Sequence, residues 1–531
     1  MIKTRIILFF SDTHISLSNR KRISFYMFFL QSLLTKIILI STLIVSTYSI
    51  AEPWIDTSDI YLKANIQLLA DTGHIITPVT TYPLMWQDII GDLKKMDQSD
   101  LTANQKSAYY YIKHQAKLSK KNQTRMKAQV SSDDKRFSSF GDTLSDKNSI
   151  SVHSSFMYGN FAAKIAPSYT HNPVDGDKSR FDESYVAAFM GNWVLSFGRQ
   201  NRWYGPTWDT SLSLTNNARP ITALTISRKS AEAFIIPFSE FDIPWTVTSF
   251  MGKMDDERTI KNTLLWGFRL NFKPFKNLEL GITRLAQWGG EGNSKSLSTF
   301  GDVLIGRTNC GVDGVICVGG NSTPNQQAGY DLRYSFNLFD VPMSLYGQNF
   351  AEDGSEDTLQ YVTKAQPQVG FDAYINILGK PSTVFIEVTD SLATCPALGL
   401  GDMIGDCYYE HEFYTTGMRF NGRSIGSTYD NDAKTYVVGV IAQLGTNTRL
   451  TTKLRYLDLN ADNSDKAPGN PIIGNPVTSI AEQVWMISAS LRHDYQNWRF
   501  TLSSDISQSS FTNNIDNKTD FDASIQVEYN L

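Results

Sequence analysis

The sequence is poor in charge, and this shortage excludes several classes of protein. Of its 531 residues only 19% are charged, against about 25% in an average soluble domain. Lysine and arginine (49) nearly balance aspartate and glutamate (53), so the chain lacks the basic excess of a nucleic-acid-binding protein. A mean hydropathy of −0.25 excludes a bundle of many membrane-spanning helices. It is compatible with a membrane β-barrel, because spanning strands alternate lipid-facing and water-facing residues.

Long apolar runs are also scarce, and the longest lies within the first 51 residues. After Lys36 the chain is almost entirely aliphatic up to Val45, and Ser49-Ile50-Ala51 has the small-x-small pattern of a signal-peptide cleavage site. A membrane anchor would need about 20 apolar residues, more than this run provides. The pattern predicts a signal peptide over residues 1–51. A signal of ordinary length would begin at Met27, which is the start we expect.

Cysteine is rare, and its four residues form two pairs that are close in sequence. In an exported protein this even number favours disulfides between Cys310 and Cys317 and between Cys395 and Cys407. The alternative is zinc, but these spacings lack the tight CxxC pairs of structural zinc sites. We therefore expect two disulfides, no metal and no other cofactor.

Residues 52–130 have the pattern of a small helical bundle. A first amphipathic segment ends at Gly73, a second carries Trp86, and a third opens at Thr102 and Gln105 with a capping box. The basic residues near the end of this segment are expected to form a solvated helix end. Residues 131–148 are expected to be a linker.

From residue 149 to 531 the apolar residues recur at every second position. In the last segment, for example, Phe521, Ile525 and Tyr529 alternate with polar neighbours; Arg284 is an exception in its own strand. Strands of about 9–11 residues with one apolar and one polar face are typical of membrane barrels. The sequence thus predicts an all-β transmembrane barrel of about 18 antiparallel strands with a small N-terminal periplasmic α-helical bundle.

The predicted strands and loops follow from this alternation. Tight turns, one of them around Thr446, are expected on the periplasmic side, and the long connections 289–327, 391–411 and 459–480 on the outer side with both cysteine pairs. The 18 predicted strands are 150–159, 160–170, 183–190, 193–199, 221–230, 244–254, 263–273, 277–288, 328–337, 341–350, 366–377, 382–390, 412–420, 435–444, 448–458, 482–493, 498–508 and 521–531.

The segment 198–220 does not alternate, and it mixes aromatic residues, glycine, proline and amides between two predicted strands. Aromatic rings stack on sugar rings, while amide, carboxylate and guanidinium groups bind hydroxyls. The segment is therefore expected to fold inward, where its side chains either bind polysaccharide or plug the lumen. Asn216, Asn217 and Arg219 favour the plug, because buried irregular backbone needs hydrogen-bond partners. The candidate residues are Trp203, Tyr204, Trp208, Asp209, Asn216, Asn217 and Arg219.

This segment resembles the capsule assembly Wzi family, through Gly198-Arg199, Trp203, Gly205-Pro206 and the run from Ser211 to Pro220. Residues 68–86 resemble a second motif of that family. The resemblance implies an outer-membrane barrel of 18 strands, closed at its inner end by the helical bundle, that attaches capsular polysaccharide to the cell surface as a lectin. Tyr204 departs from the tryptophan expected there, and the loops 289–327 and 391–411 find no match, so sugar specificity does not carry over.

We therefore expect a non-enzymatic, monomeric, outer-membrane lectin whose partners are capsular or extracellular polysaccharide and outer-membrane lipid, not nucleic acid. The alternative is a porin-like channel for saccharide, which requires a continuous lumen. An outer-membrane hydrolase is the third hypothesis. Residues 422–426 match G-x-S-x-G, but their flanks predict strand and loop instead of the strand–turn–helix that this motif requires. His153 and His493 are expected at the lumen or rim, which also argues against a hydrolase.

Overall fold

A computed structural model describes residues 52–531 apart from 121–123, 143–146, 236–241, 306–323, 353–365, 393, 398–400, 406–407, 412, 465–474 and 513–515. Eighteen antiparallel strands form a closed barrel, which confirms the predicted fold class. Two of the strands, β3 and β4, are each interrupted once. In chain order, β1–β18 are Thr124–Ser131, Asn148–Tyr158, Phe161–Ile165 with Ser168–His171, Ser179–Arg180 with Tyr185–Met190, Trp193–Arg199, Thr222–Arg228, Trp245–Lys253, Leu264–Phe275, Leu278–Trp288, Asn325–Leu338, Val341–Glu352, Gln366–Ile377, Lys380–Asp390, Lys434–Gln443, Thr448–Leu459, Glu482–Tyr495, Trp498–Phe511 and Lys518–Asn530.

The barrel is closed by a strand that lies before the predicted boundary at residue 149. β1 pairs with β18 on one side, where Val130 faces Ile525, and with β2 on the other. Val130 and Met126 point outward and are 64% and 47% exposed, while the basic residues Arg125 and Lys127 face the lumen. The predicted boundaries are therefore wrong here: the charges of residues 124–131 belong to the polar face of a strand, not to a helix end.

The predicted strand 412–420 is wrong as well. Of its described residues, Tyr414 and Met418 are 2% and 0% exposed, and only Arg419–Phe420 forms a short hairpin with Arg423–Ser424. The segment folds inside the barrel, because its apolar side chains pack against other inward-folded chain instead of lipid. The predicted total of 18 strands holds because this error compensates for the missed β1.

The barrel has an apolar outside and a polar inside. A belt of half-exposed aliphatic side chains runs round the outer face, and aromatic residues lie above and below it. Neighbouring strands place Tyr436, Tyr456 and Trp485 together near one end, with ring centroids 6.1 and 4.9 Å apart. This is the surface that a strand presents to a bilayer. The belt includes Ile282, Leu332, Leu345, Val369, Ile386, Val438, Leu454, Ile487, Leu502 and Ile525.

Among the described residues, four α-helices accompany the barrel: α1 (Ile60–Asp71), α2 (Trp86–Lys95), α3 (Ala103–Ser119) and α4 (Leu297–Ile305). The first three are the predicted bundle. The predicted capping box opens α3, since Gln105 N donates to Thr102 Oγ1 and Thr102 N to the Gln105 side chain. None of the helices among the described residues is long and apolar enough to cross a membrane.

The helical bundle fills the end of the barrel at which the strand connections are short. Asn104 of α3 donates to Asn376 at 3.2 Å, just before the turn that joins β12 to β13. Ser107 donates to Gln443 at 3.3 Å, at the end of β14. Helix α1 is buried on almost all sides, because it lies inside the barrel with strands around it. We call this end the short-turn end and the other the long-loop end.

Candidate functional site

The segment 200–221, here called the inner segment, leaves the wall after β5, crosses the lumen and returns to the wall at β6. Its side chains are buried throughout, so none of the predicted candidate residues offers a free surface. The exposed fractions are 0% for Trp203, 1% for Tyr204, 0% for Trp208, 0% for Asp209, 3% for Asn216, 3% for Asn217 and 6% for Arg219.

Trp208 and Asp209 anchor the inner segment on two acidic residues of the barrel wall. Their backbone N–H groups donate to the two carboxylate oxygens of Glu387, at 2.6 and 2.9 Å. The indole Nε1 of Trp208 donates to Asp372 Oδ2 at 2.9 Å. These bonds satisfy backbone groups that would otherwise be buried without partners.

Asp209 is also the centre of a buried ion-pair cluster. Its carboxylate accepts from Arg455 Nη2 at 2.8 Å, Lys453 Nζ at 3.1 Å and Ser139 Oγ at 2.9 Å, and from the hydroxyl of Tyr429. Burial by itself would raise the pKa of Asp209, but Arg455 and Lys453 lower it well below its ordinary value. The aspartate is thus held ionised, which ties the inner segment to β15.

Lys63 joins α1 to the inner segment through a box of four aromatic rings. Its Nζ donates to the carbonyl oxygen of Thr207 at 2.5 Å. Burial lowers the pKa of Lys63 well below its ordinary value, although Glu387 lies near enough to oppose this. The ring centroids lie 4.1 to 5.8 Å from Nζ and belong to Phe140, Trp208, Trp203 and Tyr82.

Trp203 and Tyr204 form a two-residue antiparallel ladder with Tyr82 and Thr81, so the motif of residues 68–86 and the inner segment pair directly. Each motif therefore supplies backbone hydrogen bonds to the other inside the lumen. Gln348 of the wall donates to the carbonyl of Tyr204 at 3.0 Å.

The end of the inner segment is bound by loops at the long-loop end. Asn217 Nδ2 donates to Ser424 O at 3.0 Å, and Asn216 Nδ2 donates to the carbonyls of Ser139 and Asp142. Arg219 is held by three carboxylates, and these contacts fix the loop between β3 and β4. The acceptors are Asp175 at 2.7 Å, Asp177 at 2.9 Å and Asp182 at 2.8 Å.

Residues 413–433, here called the second inner segment, form another layer inside the long-loop end. Just before them Tyr409 OH donates to Leu212 O at 2.6 Å, and within them Arg419 pairs with Asp430 at 2.7 Å. Ser424, the centre of the G-x-S-x-G match, is 1% exposed and lies in the short hairpin. Its hydroxyl accepts from Gly426 N at 3.1 Å, so this serine has the position of a structural residue.

The lumen is not filled equally on all sides. Inward side chains of β8–β14, such as Arg269 and Gln368, are fully buried, whereas several of β16–β18, such as Ser488, Ser524 and Gln526, are partly exposed. Between this thinner side and the inner layers runs a cavity of about 240 Å³, here called the wall crevice. It follows β18 from Asp520 to Glu528 and β1 from Arg125 to Ser131. Charged groups and small hydroxyls line much of it, together with apolar side chains such as Phe137 and Val484.

The side chains of both predicted cysteine pairs lie outside the described residues. Cys310, Cys317 and Cys407 lie outside the described residues, and of Cys395 only the backbone is described, in a short strand that pairs with Gly401–Ile404. Both disulfides remain predictions. In the described part of the chain, no three His, Cys, Asp or Glu side chains come together as metal ligands.

Sequence reasoning missed the residues that hold the inner segment. Lys63, Asp372, Glu387, Lys453 and Arg455 were not singled out, although each carries a usable signal. Four of them occupy inward positions of predicted strands, and the fifth is a lysine on a helix that is otherwise almost entirely buried. The alternation indicates which charged side chains point inward, but not which of them form ion pairs with one another.

Comparison with known proteins agrees with this architecture. The family model described as capsule assembly protein Wzi matches residues 117–523, which confirms the resemblance found in the motifs. The solved structure of Escherichia coli Wzi, an outer-membrane protein involved in group 1 capsule assembly and a carbohydrate-binding β-barrel, superposes with a TM-score of 0.74. It is 22% identical, over 90% of this chain and 99% of that one.

A relative is also found among curated sequences. An uncharacterized 55.8 kDa protein in the cps region of Klebsiella pneumoniae is 30% identical over 310 residues, 55% of this chain. The match spans 57% of that relative's length.

Proposed function

Because the chain belongs to the capsule assembly protein Wzi family, we propose that it is an outer-membrane barrel that binds capsular polysaccharide and attaches it to the cell surface. In this proposal the protein is a non-enzymatic, monomeric lectin. The observation that carries it is the filled lumen: the inner segment, the second inner segment and the helical bundle occupy the space that a saccharide channel would need open. The likeness to the carbohydrate-binding barrel of E. coli supports the same conclusion.

The filled lumen disfavours the porin-like alternative. The wall crevice, at about 240 Å³, is smaller than the roughly 300–1,000 Å³ of ordinary ligand pockets, and the larger cavities, of about 1010 and 870 Å³, lie around the helical bundle at the short-turn end. Widening the crevice would break the ion pairs of Asp209 with Lys453 and Arg455, because both cations line it. The crevice therefore conducts water or small ions at most in this arrangement, and polysaccharide stays outside.

We propose that the glycan is contacted where the wall crevice reaches the long-loop end. The side chains of Asp133 and Asp520 are 65% and 39% exposed there, and Arg136 is 39% exposed while paired with Glu482. Carboxylates and a guanidinium can share hydrogen bonds with sugar hydroxyls. The seven buried candidate residues then act indirectly, by holding the loops that form this surface.

The proposal also assigns the two ends of the barrel. The signal peptide over residues 1–51, which lies outside the described residues, would direct export, the short-turn end with its helical bundle would face the periplasm, and the long-loop end would face outward. The two disulfides would then lie in outer loops, as residues 289–327 and 391–411 contain the cysteines.

The direct test is binding of purified capsular polysaccharide to the reconstituted barrel. We expect Asp133→Asn and Asp520→Asn to weaken binding, because each removes a charged acceptor at the proposed surface. Asp97→Asn is the matched control, since this carboxylate is exposed at the helical end and should leave binding unchanged. Equal binding by all three variants would refute the proposed surface, and no binding by the parent protein would refute the lectin function.

Planar-bilayer recording separates the two candidate functions. A filled lumen predicts that the reconstituted barrel shows no conductance steps that saccharide can block. Large steps that are blocked by oligosaccharide from the capsule would favour the channel.

A further inference from the structure

Helix α4 lies on the outside of the barrel and not over its mouth. Val303 is fully buried against the outer wall, and Phe300 stacks on Trp288 with centroids 5.1 Å apart. Phe300 also meets the edge of Trp266 at 5.9 Å. Both tryptophans are outward-facing residues of β8 and β9, so the helix covers wall that would otherwise face the surroundings of the barrel.

The covered wall is at the level of the outer aromatic belt. Nine residues of β8 separate Trp266 from Phe275 at the short-turn end. At about 3.3 Å per residue and a tilt near 40°, this is about 23 Å, close to the ~25 Å height of the apolar band of such barrels. Belt residues elsewhere are bare: Trp485 is 55% exposed, whereas Trp266 is 7% exposed. Helix α4 thus occupies a place that lipid has along the rest of the belt.

The two flanks of α4 differ in chemistry. Successive helix residues are about 100° apart, which places Leu304 and Leu297 on one side of the buried face, Thr299 and Asp302 towards the other, and Ile305 opposite the buried face. The three apolar residues are 41%, 89% and 62% exposed. Such a helix in contact with water alone would leave an apolar flank bare, whereas an interfacial helix buries it in the membrane.

The two ends of α4 also differ in chemistry. Its first turn lies among the hydroxyls of Ser294, Ser296 and Thr299, which bond to one another. Its last turn lies deeper along the wall, where Arg284 Nη1 donates to Leu304 O at 2.7 Å and Nη2 donates to the carbonyl of the preceding residue at 2.6 Å. The polar end is therefore at the rim and the apolar end nearer the belt.

Arg284 is the outward-facing arginine that interrupts the alternation of β9. A charged side chain on the lipid face is costly unless its donors are satisfied. Here the guanidinium caps the carbonyls at the end of α4, lies 5.6 Å from the ring of Trp266, and bonds to the side chain of Gln326. This arginine is explained if α4 stays docked on the wall within the membrane interface.

We propose that α4 is a membrane-interface helix, with Leu304 and Ile305 inserted among the acyl chains of the outward-facing leaflet, Leu297 nearer the rim, and Arg284 fixing its inner end. The proposal rests on the membrane location given under the proposed function. The partner of α4 is lipid, because its apolar flank is continuous with the lipid-facing belt of the barrel.

The test is photocrosslinking of the full-length barrel in phosphatidylcholine vesicles whose acyl chains carry an alkyne tag. A benzoylphenylalanine replaces Leu304 in one variant, Ile305 in a second, and Asp302, on the flank opposite Leu304, in a control. Ile282 in the belt of β9, 47% exposed, provides the positive control. Heat-dependent electrophoretic mobility shows that each variant is a folded barrel.

We expect lipid adducts at positions 304 and 305 comparable to those at 282, and several-fold fewer at 302. Labelling at 282 without labelling at 304 and 305 overturns the proposal while leaving the membrane barrel intact. Absence of labelling at 282 contradicts the membrane location itself. Equal labelling at 302 and 304 overturns the orientation, and adducts to another protein in whole cells would mark the flank as a protein interface.

Discussion

Replacing Asp209 by alanine tests whether the inner segment is a structural plug. The substitution removes a fully buried carboxylate from contact with Arg455 at 2.8 Å and Lys453 at 3.1 Å. Both cations stay buried, 3% and 7% exposed, without the charge that compensates them. Breaking a buried pair by removing one partner costs about 3–5 kcal/mol. We therefore expect the free energy of unfolding to fall by about that amount.

The assay is denaturant-induced unfolding from lipid vesicles, followed by tryptophan fluorescence, because Trp203 and Trp208 lie in the same region. Lys453→Met in the Asp209→Ala background removes one of the two uncompensated charges. It should restore part of the lost stability, since an apolar side chain is tolerated where a buried ion is not.

A different outcome would refute the role of Asp209 in the plug. If Asp209→Ala changes stability by less than about 0.5 kcal/mol, as surface substitutions do, and instead abolishes polysaccharide binding, then Asp209 contacts glycan and the plug is not its role. A further loss of stability in the double variant would also contradict the ion-pair account.

Three further predictions concern the stability in acid, the cysteine pairs and the topology of the barrel. The pKa values of Asp59 and Asp209 are lowered by their arginine partners against the opposing effect of burial. The two carboxylates therefore stabilise the folded barrel fully above their unfolded pKa of 3.8, and this contribution should be lost as pH falls below it. The measurement is the unfolding temperature, which should drop only in acid. Non-reducing peptide mapping should find both predicted cysteine pairs joined within each pair, and free thiols or a link between the pairs would contradict them. An impermeant thiol reagent on intact cells should label a cysteine placed in 291–325 but not one at Thr446, and the reverse would invert the topology.

The period-2 alternation was sufficient to predict the barrel, because lipid outside and polar chain inside impose opposite demands on successive residues. It failed where the surroundings change. β1 carries basic residues on its lumen face, which resemble a solvated helix end when read without their partner β18. Among residues 413–420, Tyr414 and Met418 are buried without facing lipid, so the pattern that indicates a spanning strand misled there.

The candidate site was predictable in its location but not in its contacts. The irregular composition of 198–220 indicated an inward-folded segment, because such backbone must find partners away from lipid. That Glu387 would accept the N–H groups of Trp208 and Asp209 depends on residues nearly 180 positions apart. The sequence indicated Arg284 only as an exception to the alternation of its strand. Its partners were not predictable, because they are carbonyl groups of a helix that lies in a predicted loop.

The central claim is that the protein holds capsular polysaccharide at the cell surface, and the most direct measurement is the ratio of cell-associated to released polymer in a deletion strain. Many weak sites on one surface retain a long repeating polymer by multivalency, so their loss should release it without affecting synthesis. We predict unchanged total polymer, with the cell-associated fraction shifted into the medium and restored by the intact gene. An unchanged ratio, or polymer trapped in the periplasm, would contradict the account.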